Sequence, residues 1–191
     1  INSNININYS GATCVSLLLT KNEIISANIG DSRAIKGKYI NSKWEYEILS
    51  KDHKPENKDE ELRIKKYKGE IEIHPYIDED GNYVGPKRIW LPNHVNCGIA
   101  VSRSIGDLVA ETVGVISEPE ILFFPYNKED KFDVLASDGL WECVDNEEVV
   151  VIVSKYYDKL DCDGAILELF ETSKNRWEEN SDIMDDITII L

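Results

Sequence analysis

The sequence predicts an α+β domain built on antiparallel β-sheets. Short β-rich runs come in a block through the first fifty residues, and helical patterns come mostly later. Two of these runs are separated only by Lys21 and Asn22, a spacing that is compatible with a hairpin. Strands that come in a block favour antiparallel sheets over a doubly wound parallel sheet, in which strands and helices alternate.

The first fifty residues predict four strands, each rich in β-branched or aromatic side chains. These strands are 12–20, 23–30, 32–40 and 43–50. The stretch 56–69 then has the composition of a helix, because acidic residues come early, basic residues come late and Gly69 gives a stop signal. We therefore expect one charged surface helix after the strands.

The segment 70–91, "EIEIHPYIDEDGNYVGPKRIWL", alternates loosely between apolar and polar residues and contains Asp80-Gly81, a favoured turn pair. This pattern predicts a long, hairpin-like excursion from the body of the domain rather than part of its core. Such an excursion could act as a flap.

The last third predicts two strands, two helices and a closing strand. The strands are 120–126, 131–137 and 187–191, and the helices begin at Asp145 and at residue 164. Glu148 stands at the capping-box position of the first helix, whose apolar face carries Val149, Ile152, Val153 and Tyr156. The second helix repeats this pattern with Ile166, Leu169, Phe170, Ser173 and Trp177.

The composition of the 191 residues excludes several classes of function. Acidic residues number 36 and basic residues 21, so the formal net charge of −15 argues against a surface that follows nucleic-acid phosphates. No apolar run approaches the length that a membrane span requires. The four cysteines are scattered without a CxxC pair, so neither a zinc ribbon nor a disulfide framework is indicated, and a reducing compartment fits best.

The stretch 135–148, "LASDGLWECVDNEE", places Asp138 at the end of a buried strand and a glycine directly after it. A carboxylate at the rim of a core is costly unless it is paired or bound to a metal ion. Glycine allows a sharp turn and leaves room for a ligand close to the backbone. Similar strand-end acids are Asp31, Asp185 and Asp186, and Asp107 follows what we expect to be a short helical turn.

If the sheets bring several of these strand ends together, the carboxylates would repel one another and would call for hard cations such as Mg²⁺ or Mn²⁺. A second interpretation stays open for each acid taken alone, because Asp in D-G and D-S pairs is a common turn residue. Asp145, Asp161 and Asp163 are expected to be helix caps or first-turn acids. No G-x-S-x-G stretch indicates a nucleophile, so covalent catalysis is not favoured.

Seven blocks extend from Ser10 to Leu191 in a specific order. They are "SGATCVSLLL", "ANIGDSRAI", "LSKDHKP", "GIAVSRSIGD", "VISEPEI", "VLASDGLWECVDNEEVV" and "DDITIIL". Their order and spacing resemble the C-terminal two thirds of the metal-dependent serine/threonine protein phosphatases of type 2C. The resemblance implies two antiparallel β-sheets sandwiched between pairs of helices, with a two-metal centre at one edge of the sandwich.

The resemblance also implies which residues bind metal. Asp138 and Asp185 correspond to ligands of the two-metal centre, whereas Asp186 stands where many members have Asn and is not expected to be a ligand. Asp31, together with Asp138 and Glu142, resembles a third metal site that some members have. Glu142 stands where Asp is common, which keeps the charge but lengthens the side chain. The expected ions are two or three Mg²⁺ or Mn²⁺.

Other positions correspond to structural parts of the family domain. Arg103 and Asp107 are expected to hold the region beneath a substrate-contacting flap at about 69–92. The family's N-terminal third, with its phosphate-binding arginine and its D-G-H-G block, has no counterpart in residues 1–191. We expect that third to lie upstream in the same protein; the other interpretation is an incomplete and inactive relative.

The function that follows from the resemblance is hydrolysis of phosphoserine and phosphothreonine in proteins by a water molecule that two metal ions activate. The alternative is a catalytically inactive module that binds phosphoproteins or kinases. Residues 1–191 alone, a partial catalytic domain incomplete at the N-terminus, are expected to be inactive. The protein is expected to be an intracellular monomer, cytoplasmic or nuclear, with phosphoprotein substrates and without nucleic-acid or membrane partners.

Overall fold

The computed structural model describes residues 6–73, 81, 85–94, 97–180 and 184–191. These residues form short, antiparallel strands and a smaller number of helices, so the predicted α+β class is confirmed. In the parts of the chain that the structure describes, the helices fall short of the length or apolar character that a bilayer span would need.

The elements are numbered in chain order. The strands are β1 (Gly11–Ala12), β2 (Cys14–Leu19), β3 (Glu23–Ile29), β4 (Arg33–Ile40), β5 (Lys43–Ile48), β6 (Glu70–Glu72), β7 (Arg88–Trp90), β8 (Cys97–Ile99), β9 (Ile105–Gly106), β10 (Glu120–Pro125), β11 (Asp130–Ala136) and β12 (Ile189–Ile190). The helices are α1 (Lys58–Lys66), α2 (Leu108–Glu111), α3 (Asp138–Trp141), α4 (Asn146–Tyr157) and α5 (Cys162–Asn180).

The chain divides into two compact units. The first unit comprises the described residues of 6–14, 29–31 and 52–119, and the second those of 15–28, 32–51 and 120–191. Two sheets lie in the second unit, with strand orders β10-β3-β2 and β12-β11-β4-β5. The four strands predicted in the first fifty residues are confirmed, as are the predicted strands that correspond to β10 and β11. The closing strand comprises only Ile189–Ile190 and is shorter than predicted.

The two sheets of the second unit share a core. Ile24, Ala34 and Leu49 are fully buried between them, and Phe124 of β10 packs against this cluster. Successive residues of a strand point to opposite faces of the sheet. Phe123 therefore lies on the other face of β10, where it is 61% exposed. The three-stranded sheet thus has one buried face and one face with exposed apolar side chains.

The helices α3, α4 and α5 pack on the four-stranded sheet. Val149 and Val153 of α4 and Leu169 of α5 are buried in one cluster with Val134 of β11. The predicted cap of α4 is confirmed, because the Asp145 carboxylate accepts a hydrogen bond of 2.8 Å from the backbone N–H of Glu148. The helical hairpin of α4 and α5 therefore shares one buried core with β11.

The first unit contains α1, the sheet β6-β7-β8 and the small pair β1-β9. Its core cluster includes Ile64 of α1 and Ile89 of β7, both 0% exposed. The expectation that 70–91 stands outside the core is therefore wrong for Ile89. Pairing of β6 with β7 directs alternate side chains inward, and Ile89 meets α1. Residues 74–80 and 82–84 of the predicted flap lie outside the described residues.

The expectation that Asp107 follows a helical turn is also wrong. Ile105 and Gly106 form strand β9, which pairs with β1, and Asp107 comes before α2 with a left-handed φ of 49°. Gly106 itself has a φ of 102°, which glycine adopts without steric cost and which turns the chain directly out of the strand. The short run "SIGD" therefore contains a paired strand that ends in a turn at Gly106, and not a helical turn.

Candidate metal centre

Asp138 lies where the sequence predicts it, at the end of a buried strand. Strand β11 ends at Ala136, which is buried, and Asp138 begins the short helix α3. The indole N–H of Trp141 donates to the carbonyl of Ala136 over 2.9 Å and holds α3 against the end of β11. Trp141 is buried, so it is a packing residue.

Ser137 joins the Asp138 segment to the segment that carries Asp185. Its backbone N–H donates to the carbonyl of Thr188 over 3.1 Å. Its hydroxyl donates to the carbonyl of Asp186 over 2.9 Å and accepts from the N–H of Thr188 over 3.0 Å. The two predicted ligand-bearing segments therefore lie side by side in the second unit.

We call the contact between residues 137–139 and 186–188 the seam. Gly139 permits the two backbone segments to approach closely there. A Cβ atom at this position would lie 2.4 Å from the carbonyl oxygen of Asp186 and 3.2 Å from a side-chain carbon of Ile187. Real Cβ atoms do not tolerate a contact of 2.4 Å, so glycine is required here. The sequence predicts a need for space next to Asp138, and the structure shows that the backbone of Asp186 takes part of this space.

The two carboxylates differ in exposure. Asp138 is partly buried, whereas Asp185 is exposed and its Oδ1 accepts a hydrogen bond of 2.7 Å from the N–H of Asp186. Carboxylate oxygens are the ligands that Mg²⁺ and Mn²⁺ prefer, so the donor chemistry fits the predicted ions. Among the described residues, no group of three or more His, Cys, Asp or Glu side chains is arranged to hold a metal ion. The roles of Asp138 and Asp185 stay predictions.

Helix α5 supports α3 from behind. Ser173 and Trp177 each donate a hydrogen bond of 2.7 Å to the carbonyl of Gly139. Arg176 donates to the carbonyl of Cys143 over 2.7 Å and forms a two-point ion pair with Glu148. The hydrogen bond to Glu148 raises the pKa of Arg176. The sequence pattern places Ser173 and Trp177 on the inner face of a helix but does not indicate what they bind.

The residues of the predicted third metal site belong to different units. Asp31, in the first unit, is 5% exposed and accepts a hydrogen bond from the ammonium group of Lys54. Glu142, in the second unit, is exposed at the C-terminal end of α3. The pairing of Asp31 with Lys54 already supplies a partner for this buried charge. The third site remains a prediction.

Arg103 and Asp107 form structural hydrogen bonds in the first unit. Arg103 donates to the carboxylate of Glu60 over 2.8 Å and to the carbonyl of Glu118 over 2.9 Å. The carboxylate of Asp107 accepts from the hydroxyl of Ser104 over 2.6 Å. These contacts agree with the structural role that the sequence comparison implies for both residues.

Cys143 lies close to α3 but lacks the properties of a nucleophile. Burial raises the pKa of the Cys143 thiol, so the reactive thiolate is disfavoured. Among the described residues Cys14, Cys143 and Cys162 are free thiols.

A family model and curated relatives both point to the same protein family. The sequence pattern of the family described as "PP2C: Protein phosphatase 2C" matches residues 1–176. The chain is 34% identical over 202 residues to "Probable protein phosphatase 2C 35" of Arabidopsis thaliana, covering 99% of the chain and 57% of the relative. It is 35% identical to "Probable protein phosphatase 2C 12" of Oryza sativa subsp. japonica, covering 91% of the chain and 43% of that relative. The chain thus spans about half the length of the curated relatives it matches.

Solved structures support the fold. A serine-threonine phosphatase 2C from Toxoplasma gondii aligns with a TM-score of 0.80 at 22% identity, covering 96% of the chain and 58% of the solved structure. A C. elegans sex determining protein aligns with a TM-score of 0.70 at 21% identity, covering 95% of the chain and 40% of the solved structure. At these identities the likeness shows the fold alone.

Proposed function

The chain belongs to the protein phosphatase 2C family, and from this premise we propose that it is part of a catalytic domain that hydrolyses phosphoserine and phosphothreonine in proteins. One observation carries the proposal. Asp138 and Asp185 are carried by neighbouring segments that Ser137 joins through three hydrogen bonds. Two carboxylates on adjoining segments at the end of a sheet are a suitable start for a centre that binds divalent cations.

Asp138 and Asp185 would hold Mg²⁺ or Mn²⁺ ions. Divalent ions in such centres supply a nucleophile by lowering the pKa of bound water, and they stabilise the negative charge on phosphate. The two carboxylates would fix the ions at the end of β11, while the exposed position of Asp185 leaves one side open to substrate. A protein with a formal net charge of −15 needs such cations to accept a phosphorylated substrate.

The remaining ligands are proposed to lie in the part of the family domain that this chain does not span. The coverage of 57% of the Arabidopsis relative supports this division of the site. Asp31 and Glu142 stay candidates for a third ion. We further propose phosphoprotein substrates, no nucleic-acid or membrane partner, a monomeric state and an intracellular location; the net charge of −15 supports the exclusion of nucleic acid.

The test is phosphate release from a phosphothreonine peptide by an N-terminally extended chain that includes the family's remaining third. We expect turnover with Mn²⁺ or Mg²⁺ and none after chelation. Asp138→Asn and Asp185→Asn each should lower kcat/KM by about 100-fold or more, because each removes one charged ligand. Asp186→Asn is the matched control, since this acid is next to Asp185 but is not an expected ligand, and it should keep normal turnover.

Full activity of Asp138→Asn would contradict the assignment, as would an equal loss in Asp186→Asn. Residues 1–191 alone should show little turnover under the same conditions. If the extended chain binds phosphopeptides but releases no phosphate with either metal, the alternative, an inactive module that binds phosphoproteins or kinases, is correct.

A further inference from the structure

We propose that Ser173 and Trp177 are positioning residues that hold Asp138 in the direction required to bind a metal ion. The inference rests on the proposed function, in which Asp138 is a metal ligand. Its basis is a convergence of two side-chain donors from α5 on one backbone carbonyl, that of Gly139, which directly follows Asp138.

The two hydrogen bonds are short and saturate their acceptor. The hydroxyl of Ser173 and the indole N–H of Trp177 both lie 2.7 Å from the oxygen of Gly139. A carbonyl oxygen has two lone pairs, so these donors use its full capacity. Ser173 is 0% exposed, which means that water cannot easily replace its hydroxyl as a donor.

The carbonyl of Gly139 needs these donors because the backbone N–H groups that follow it in the chain donate to other carbonyls. In the turn that follows α3, the N–H of Glu142 donates to Asp138, and the N–H groups of Cys143 and Val144 donate to Leu140. Gly139 is buried, and an unpaired carbonyl in such a place would be destabilising. Helix α5 therefore completes the hydrogen bonding of α3.

Glycine makes this support important for its neighbour. Gly139 has no side chain that could pack and fix the backbone, and glycine has more conformational freedom than other residues. The carbonyl of Gly139 is bound from α5, and the backbone of Asp186 lies close to the other side of the residue, so both contacts restrict its orientation. Because Asp138 is bonded directly to Gly139, fixing the backbone of Gly139 also restricts the backbone of Asp138.

The donors also stand on a rigid support. Ala165, Leu169, Ser173 and Trp177 recur every fourth residue along α5 and therefore lie on one face of the helix. Ala165 and Leu169 are fully buried in the core cluster with α4 and β11. Along this face of α5, the apolar side chains Ala165 and Leu169 are followed by the hydrogen-bond donors Ser173 and Trp177, which contact α3. Binding sites built on packed helices hold their ligands more accurately than those on loops.

The test measures Mn²⁺ affinity of the N-terminally extended chain by titration calorimetry. Trp177→Phe keeps an aromatic ring but removes the donor, and Ser173→Ala removes the hydroxyl. Each should weaken Mn²⁺ binding by about tenfold, the usual effect of losing a group that orients a metal ligand. The matched control is Tyr156→Phe, which removes a hydrogen bond of 2.7 Å to Glu168 within the same helical hairpin. The control should bind Mn²⁺ normally.

The outcomes separate this inference from the proposed function. If Trp177→Phe and Ser173→Ala bind Mn²⁺ normally while Asp138→Asn does not, the positioning role is wrong and Asp138 is still a ligand. If Tyr156→Phe weakens binding as much as the two variants, the effect is one of general helix packing and the positioning role is again wrong. Normal Mn²⁺ binding by Asp138→Asn would overturn the proposed function itself.

Discussion

At the scale of single residues, Gly139 shows why an Asp-Gly pair ends β11. The glycine follows the proposed ligand Asp138, and its missing side chain lets the backbone of Asp186 approach closely. The same glycine presents its carbonyl to two donors of α5. One residue thus links three segments of the chain at the candidate site.

Gly139→Ala should destabilise the protein by about 2 kcal/mol, because the new methyl group would overlap with a backbone oxygen that cannot move freely. The added Cβ would lie 2.4 Å from that oxygen, which belongs to Asp186. Urea denaturation followed by circular dichroism measures the change. An unaltered denaturation midpoint would show that the seam between the two segments is looser than the structure indicates.

Residue identity in the candidate site was partly predictable from the sequence. An acid at the end of an apolar run indicates a rim carboxylate, and this placed Asp138 correctly. The partners of Gly139 were not predictable, because Ser173 and Trp177 lie more than thirty residues away along the chain and only tertiary packing brings them to α3. Their periodic spacing on α5 indicates a buried face but not a hydrogen-bond acceptor.

At the scale of elements, α1 is anchored by a buried acid. The carboxylate of Glu60, with a side chain only 4% exposed, accepts hydrogen bonds from Arg63, Arg103 and Ser102. Burial alone would raise the pKa of Glu60, but these hydrogen bonds outweigh it and hold the pKa well below its usual range. The sequence predicts α1 as a charged surface helix, and Glu60 is the exception among its charged residues.

Glu60→Gln should destabilise the protein by about 3 kcal/mol at pH 7, because it leaves two guanidinium groups without their carboxylate partner. A depressed pKa gives stability that is complete above the unfolded-state pKa of about 4.3 and is lost as the pH falls below it. The difference in unfolding free energy between wild type and variant should therefore shrink below about pH 4.5. Urea titrations at several pH values measure it.

Glu61→Gln provides the control for this experiment within the same helix. Glu61 pairs with Lys65 at the surface, and this exposed ion pair should contribute far less than the buried network. A loss of stability in Glu61→Gln equal to that in Glu60→Gln would contradict the assigned role of Glu60, as would a difference that does not depend on pH.

Strands and helices with a strong local sequence pattern were predictable, and short elements were not. The apolar, aromatic-rich run of β10 and the capping residues of α4 identified both elements. In contrast, β9 consists of only two residues, and its pairing with β1 depends on a partner more than ninety positions away. No local pattern indicates such a pair, which explains the error at Asp107.

At the scale of the whole molecule, the packing of two antiparallel sheets in the second unit agrees with the TM-score of 0.80 against a solved phosphatase structure. The core between these sheets depends on alternate residues of each strand. Adjacent residues of β10 therefore contribute unequally to stability.

Phe124→Ala should destabilise the second unit by about 3 kcal/mol, because it opens a cavity between the sheets. Phe123→Ala, the matched control at the neighbouring position, should cost less than about 1 kcal/mol, since this side chain is already 61% exposed. Thermal unfolding of both variants measures the difference. Equal losses in the two variants would mean that the inner and outer faces of β10 are assigned incorrectly.

The seam at Ser137 has a consequence for the order of folding. Ser137 and Asp186 are 49 positions apart, and α4 and α5 lie between them in the chain. Closing so long a loop is entropically costly, so we expect the seam to form after the helical hairpin has docked. A cation that requires both segments would therefore bind only the assembled state. By thermodynamic linkage, its binding would stabilise the state in which α4 and α5 are docked.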